Sequence, residues 1–146
     1  MKKILLAVDG SDHSMRAARM AGELSSHFDA TVHILNVVPE ARLVAPIAEY
    51  ADLEHVYITQ RDMLKSAGSD IVARASSEVG DAGGAVGKAK VEIGSPARAI
   101  SEYATAWGAD CIVMGRRGLG DIKGLLMGSV SHRVGQLSDK TLVTTE

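Results

Sequence analysis

ILLAVDGSDHS, residues 4–14, begins with five consecutive apolar side chains and changes character within two residues. An unbroken apolar run of this length has no wet side, so Ile4 to Val8 reads as a strand buried on both faces. Asp9-Gly10 ends it in a turn. Ser11 is placed to N-cap a helix, and Ala17, Ala21, Leu24 and Phe28 then recur at i, i+4, i+7 and i+11, drawing one apolar stripe along it. The opening unit is therefore a doubly buried strand followed by a packing helix.

The same alternation continues. Thr31 to Val38 is rich in β-branched residues and stops at Pro39, which suits a second strand. No period is visible from Pro39 to Ala48, after which Leu53, Tyr57, Gln60, Leu64, Ala67 and Ile71 keep helical spacing toward Val79, with Gly68 expected to weaken or divide that helix. Gly80 to Gly84 is loop-like in composition. Ala89, Val91 and Ile93 alternate with Lys88, Lys90 and Glu92, as in a strand with one wet face at or near a sheet edge. Ser95-Pro96 supplies an N-cap and a first-turn proline for a helix carrying Ala97, Ile100, Ala104 and Trp107, and Gly108 stops it. Cys111 to Met114 is a further strand, Val130, Val134 and Leu137 mark a short helix, and Thr141 to Thr144 is a last strand. The order βαβαβαβαβ implies one α/β domain over residues 1–146, an open parallel sheet with helices on both faces.

Composition narrows the function. A net charge of -2 with 46% hydrophobic residues suits neither a disordered chain nor a general polyanion binder, so nucleic acid is not expected as a partner. One cysteine excludes an internal disulfide and a cysteine-based zinc cluster. No apolar stretch approaches the ~20 residues of a membrane span, no membrane partner is expected, and the chain reads as cytoplasmic and soluble.

In open α/β sheets ligands bind beyond the carboxyl ends of the strands, where strand order reverses. The residues just after Val8, Val37 and Met114 should therefore line one crevice. One of these segments is GRRGLGDIKGLLMGS, residues 115–129, with five glycines in fifteen positions. Glycine lets backbone approach a bulky ligand, and the free N–H groups of a helix N-terminus favour anions. Gly115 and Gly118 lie at a strand's end and Gly128-Ser129 at a helix's start, while Gly120 and Gly124 fall in the loop between. Arg116, Arg117 and Lys123 against Asp121 make the window basic within an acidic chain. It is not a P-loop, which needs Gly-Lys-Ser/Thr, nor a dinucleotide fingerprint, because the first turn reads DGSDHS. From composition alone, ordinary turn glycines account for the segment equally well.

The spacing G-x2-G-x9-G-[ST] of Gly115, Gly118, Gly128 and Ser129, with AVDGS at 7–11, NVV at 36–38 and GSPARAI at 94–100, resembles the universal stress protein family of the ATP-binding kind, along essentially the whole chain. The resemblance implies a five-stranded parallel sheet in order 3-2-1-4-5, Rossmann-like and similar to the adenine nucleotide alpha hydrolases, a homodimer, and ATP held over the carboxyl edge. It places Asp9 by the ribose and any Mg²⁺ carried with ATP, and Ala7 and Val8 along the nucleotide pocket. Val37 would offer backbone hydrogen bonds to adenine. Met114, Gly115, Arg117 and Gly118 would follow ribose and phosphates, and Gly128, Ser129, Val130 and Ser131 would hold phosphate oxygens. The family dimer commonly pairs through its last strand, and here that strand, Thr141 to Thr144, departs from the usual pattern in being more polar.

The remaining reactive side chains have plainer readings. Cys111 sits in an apolar run and reads as a buried, inert thiol. The five histidines show no metal-ligand spacing. Ser11, His13 and Ser14 read as helix capping rather than an acyl-transfer site. Arg116 reads as solvated and Arg117 as the phosphate ligand. Function is thus expected to be nucleotide binding in a stress-response or regulatory module, with no catalytic residue assigned. The alternatives are a nucleotide-using transferase or slow ATPase, which product release under turnover would reveal, and an interaction module that takes AMP, cyclic AMP or no nucleotide.

Overall fold

Leu5 and Leu6 are adjacent in the chain and both fully buried, which requires a packing layer on each side of their strand. The computed structural model, which describes residues 1–42, 53–119 and 127–146, supplies both layers. The strands are β1 (Lys3–Val8), β2 (Thr31–Pro39), β3 (Ala85–Gly94), β4 (Cys111–Gly115) and β5 (Thr141–Thr145). They form one sheet in the order β3-β2-β1-β4-β5, and every pairing is parallel. β1 is central, as its unbroken apolar run requires.

Four helices connect and cover the strands: α1 (Asp12–Phe28), α2 (Leu53–Asp81), α3 (Pro96–Trp107) and α4 (Ser129–Leu137), with a short 3-10 turn at Glu40–Arg42. Alternate residues of the inner strands feed opposite cores. Ile4, Leu6 and Val8 pack with Val32, Ile34, Cys111 and Val113 under α1 and α2. Leu5 and Ala7 pack with Leu35, Val37, Ile112 and Met114 under α3 and α4. Cys111 lies in the first of these cores, where burial raises its thiol pKa, so the inert reading stands.

Several sequence expectations need correction. Phe28 and Leu137 continue the apolar stripes of α1 and α4 but are 47% and 56% exposed, because each falls in the last turn, beyond the sheet the helix covers. Gly68 neither ends nor divides α2, which runs unbroken from Leu53 to Asp81; the helix approaches the sheet so closely there that a side chain would collide with Val91 and Asn36. Gly80 and Asp81 belong to the end of that helix rather than to the following loop. Ala67 points to solvent, whereas Ile71 packs on the core. The stretch from Leu43 to Asp52 and the loop from Gly120 to Leu126, with Gly120, Asp121, Lys123 and Gly124, lie outside the described residues.

On the α3 side, His33 of β2 stacks flat against Trp107 at 3.6 Å between ring centroids, and its Nδ1 lies 3.0 Å from the Tyr103 hydroxyl. Burial, then the charges of Lys88 and Lys3, lower its pKa from the ordinary 6.5. The fold thus favours the neutral ring. The stability this contributes is complete above pH 6.5 and is lost as pH falls through the lowered folded value. Denaturation followed across that range should show a loss in the wild type that His33→Gln lacks.

Candidate functional site

The cleft opens where β1 hands over to β2 on one side and to β4 on the other, the reversal point of the strand order. Its volume is about 250 Å³, and all twelve residues singled out from the sequence line it. Ala7, Val8 and Asp9 come from the end of β1 and Val37 from β2. Met114, Gly115, Arg117 and Gly118 come from β4 and the turn after it, and Gly128, Ser129, Val130 and Ser131 from the start of α4. Ala7, Val37 and Met114 belong to the apolar core under α3 and α4, so that part of the cleft is an open end of a core. A flat apolar ring system suits it.

The opposite end is polar. Gly128 is the N-cap of α4, with extended backbone, and the helix closes with the His132 N–H donating to the Gly128 carbonyl at 3.0 Å. The N–H groups of the first turn, Ser129 to Ser131, therefore have no partner within the helix and make an anion-favouring end. The Gly128 N–H donates to the Arg116 carbonyl at 2.8 Å, and the Ser131 hydroxyl donates to the carbonyls of Arg116 at 2.7 Å and Gly128 at 3.0 Å. These bonds pin the start of α4 against the end of β4. Arg117 lies on the cleft wall, and its Nε is buried with no hydrogen-bond partner among the described residues. A buried guanidinium donor left free costs stability that an incoming anion restores.

Asp9 is the one carboxylate lining the cleft among the described residues. Its Oδ1 accepts from the Ser11 N–H at 3.0 Å and the Ser11 hydroxyl at 2.6 Å, while Oδ2 accepts from the Leu119 N–H at 3.0 Å. One side chain thus ties the exit of β1 to both the start of α1 and the turn after β4. Gly118 passes so close that a Cβ there would lie 2.3 Å from Oδ2. The capping reading of Ser11 and Ser14 also holds: the Ser11 hydroxyl accepts from the Ser14 N–H at 3.2 Å.

Arg116 is not simply solvated. It turns away from the cleft, and its Nη2 lies 2.5 Å from Glu146 Oε1. His13 packs behind Gly115 on the α1 side and does not line the cleft. Sequence reasoning did not assign Asn36, Arg42, Ile71, Pro96 or Ile100 to the cleft, yet they line it together with Ser14, Leu35, Val38, Pro39 and Leu119. Ile71 and Ile100 were visible as members of helical stripes, but nothing in a stripe marks which apolar residue reaches the sheet's open edge.

Among the described residues no group of three His, Cys, Asp or Glu side chains can hold a metal ion, and no helix is long and apolar enough to cross a membrane. The model of the universal stress protein family matches residues 1–145. Universal stress protein YxiE of Bacillus subtilis is 34% identical over 140 residues, covering 93% of each chain. Among solved structures, hypothetical protein MJ0577 matches with TM-score 0.84 at 24% identity over 99% of this chain and 94% of its own. A universal stress protein in complex with cAMP matches with TM-score 0.73 at 24% identity over 99% and 97%. Motif, sheet order and family match agree, and this chain belongs to the universal stress protein family.

Proposed function

We propose that the chain binds an adenine nucleotide in this cleft, ATP in preference to AMP or cyclic AMP, and works as a nucleotide-dependent stress-response module in the cytoplasm. The observation that carries the reading is the division of one cleft into an apolar end at Ala7, Val37 and Met114 and an anion-favouring end at the α4 N-terminus beside Arg117, whose Nε has no hydrogen-bond partner among the described residues. A base with a phosphate tail has that same division. The cAMP complex of a family member supports an adenine ligand. Mg²⁺ would arrive on the phosphates, with Asp9 as the contribution of the protein, as is usual for a cation bound through one carboxylate and a nucleotide.

Binding rather than turnover is the proposed role. Asp9 is the one carboxylate lining the cleft among the described residues, and both its oxygens already accept backbone N–H bonds. A side chain held this way orients groups and has little capacity to activate water. The homodimer remains part of the proposal, through β5, which pairs on one side only and is half-buried. Calorimetric titration of the purified protein with ATP, AMP and cyclic AMP tests the reading. One saturable site per chain with ATP tightest is expected; no saturable heat from any of the three, with the protein folded, contradicts it.

A further inference from the structure

Asn36 is a polar residue in an apolar row. Val32 and Ile34, on the same face of β2, are 0% and 1% exposed and belong to the core under α1 and α2, and Asn36 itself is 3% exposed. Burying an amide costs free energy unless both its ends are bonded. One end is: Asn36 Nδ2 donates to the Val8 carbonyl at 2.8 Å. The other is not. Oδ1 is buried with no hydrogen-bond partner among the described residues, facing α2 where an added Cβ on Gly68 would lie 2.7 Å from it and 2.6 Å from Val91 Cγ1. A leucine would avoid stranding that acceptor, though it would leave the Val8 carbonyl without the amide; apolar packing beside Val32 and Ile34 therefore does not explain the side chain.

The bond to Val8 does. The Val8 carbonyl belongs to the planar peptide unit that leads into Asp9. Holding that carbonyl fixes the direction in which the chain leaves β1, and with it the line along which the Asp9 carboxylate reaches Ser11 and Leu119. We infer that Asn36 is a positioning residue of the nucleotide cleft: by clamping the Val8 carbonyl it aims Asp9 at the glycine turn and sets nucleotide affinity through it. The inference rests on the nucleotide reading above. Gly68 is its complement on α2, since only a residue without a side chain leaves room for the amide.

ATP titrations of the full chain carrying Asn36→Leu or Asn36→Asp, alongside wild type, provide the test. Asn36→Leu relieves the stranded Oδ1 and frees the Val8 carbonyl, so its thermal midpoint should stay near that of wild type while affinity falls about tenfold, the worth of one buried hydrogen bond. Asn36→Asp can donate to the Val8 carbonyl only when protonated. Burial and the Asp9 carboxylate of the same cleft favour that form, while the Arg42 and Arg117 guanidiniums that line it favour the ionised one; Gly68 of α2 and Val91 of β3, beside the amide, carry no charge. Asn36→Asp should therefore show an affinity deficit that widens, to about tenfold, as rising pH ionises the introduced carboxyl and turns its bond to the Val8 carbonyl oxygen into repulsion. A deficit that does not change with pH, or a folded Asn36→Leu that binds as tightly as wild type, overturns the inference alone. A wild type that binds no ATP overturns the proposed function and this inference together.

Discussion

Replacing Gly118 by valine should weaken nucleotide binding about a hundredfold while leaving the protein folded. A Cβ at this position would lie 2.3 Å from Asp9 Oδ2, far inside contact distance. Either the turn after β4 or the Asp9 side chain must move, and both carry the site: Leu119 loses its bond to Oδ2, and Arg117 shifts with the backbone. Overpacking alone costs about 1–3 kcal/mol. Because the displaced atoms are those that meet the ligand, that cost should appear in binding as a loss of about a hundredfold. The turn lies on the surface, Leu119 being 60% exposed, so the cores need not change. Calorimetry with ATP, paired with circular dichroism and a melting curve, reads both quantities. A folded variant with wild-type affinity would mean that the ligand does not depend on the Asp9 turn.

The second large effect is on stability. Leu5→Ala and Leu6→Ala should each destabilise the protein by about 2–5 kcal/mol, as expected for emptying a filled core position. The pair is informative because the two side chains point to opposite faces: Leu6 into the core under α1 and α2, Leu5 into the core under α3 and α4, both at 0% exposure. A strand with one wet face would lose much stability from one substitution and almost none from the other. Urea denaturation of the two variants therefore measures whether both layers of the sandwich are packed. A cost below about 1 kcal/mol for either would contradict the central position of β1.

How far the sequence carried the fold can be judged from these same residues. Ile4 to Val8 revealed its burial on both faces because no polar residue interrupts it, and the alternation of strand and helix then left few topologies. The order of the strands was not legible from periodicity and came from the resemblance. Helix ends were the weak point. Phe28 and Leu137 satisfy the spacing of their stripes yet lie exposed, since periodicity records direction around a helix and not how far the sheet beneath it extends. Gly68 misled for the converse reason. Its low helix propensity is a local property, whereas its role is set by Asn36 and Val91 on other elements.

The site divides in the same way. The residues of the strand ends and the glycine turn were legible because turn chemistry and strand termini leave local signals, and the structure gathers all twelve around one cleft. Ile71 and Ile100 carry no such signal, since helix packing alone brings them to the walls. The Asp9 carboxylate is a case between the two: its position was legible, but its bond to the Leu119 N–H joins residues 110 positions apart and depends on β1 and β4 being neighbours.

A crystal structure of the protein soaked with ATP tests the central claim most directly. The adenine is expected against Val37 and Met114, with phosphate oxygens within hydrogen-bond distance of the first-turn N–H groups of α4 and of Arg117 Nε. Nucleotide found elsewhere on the surface, or a cleft that stays empty at saturating ATP, would contradict it.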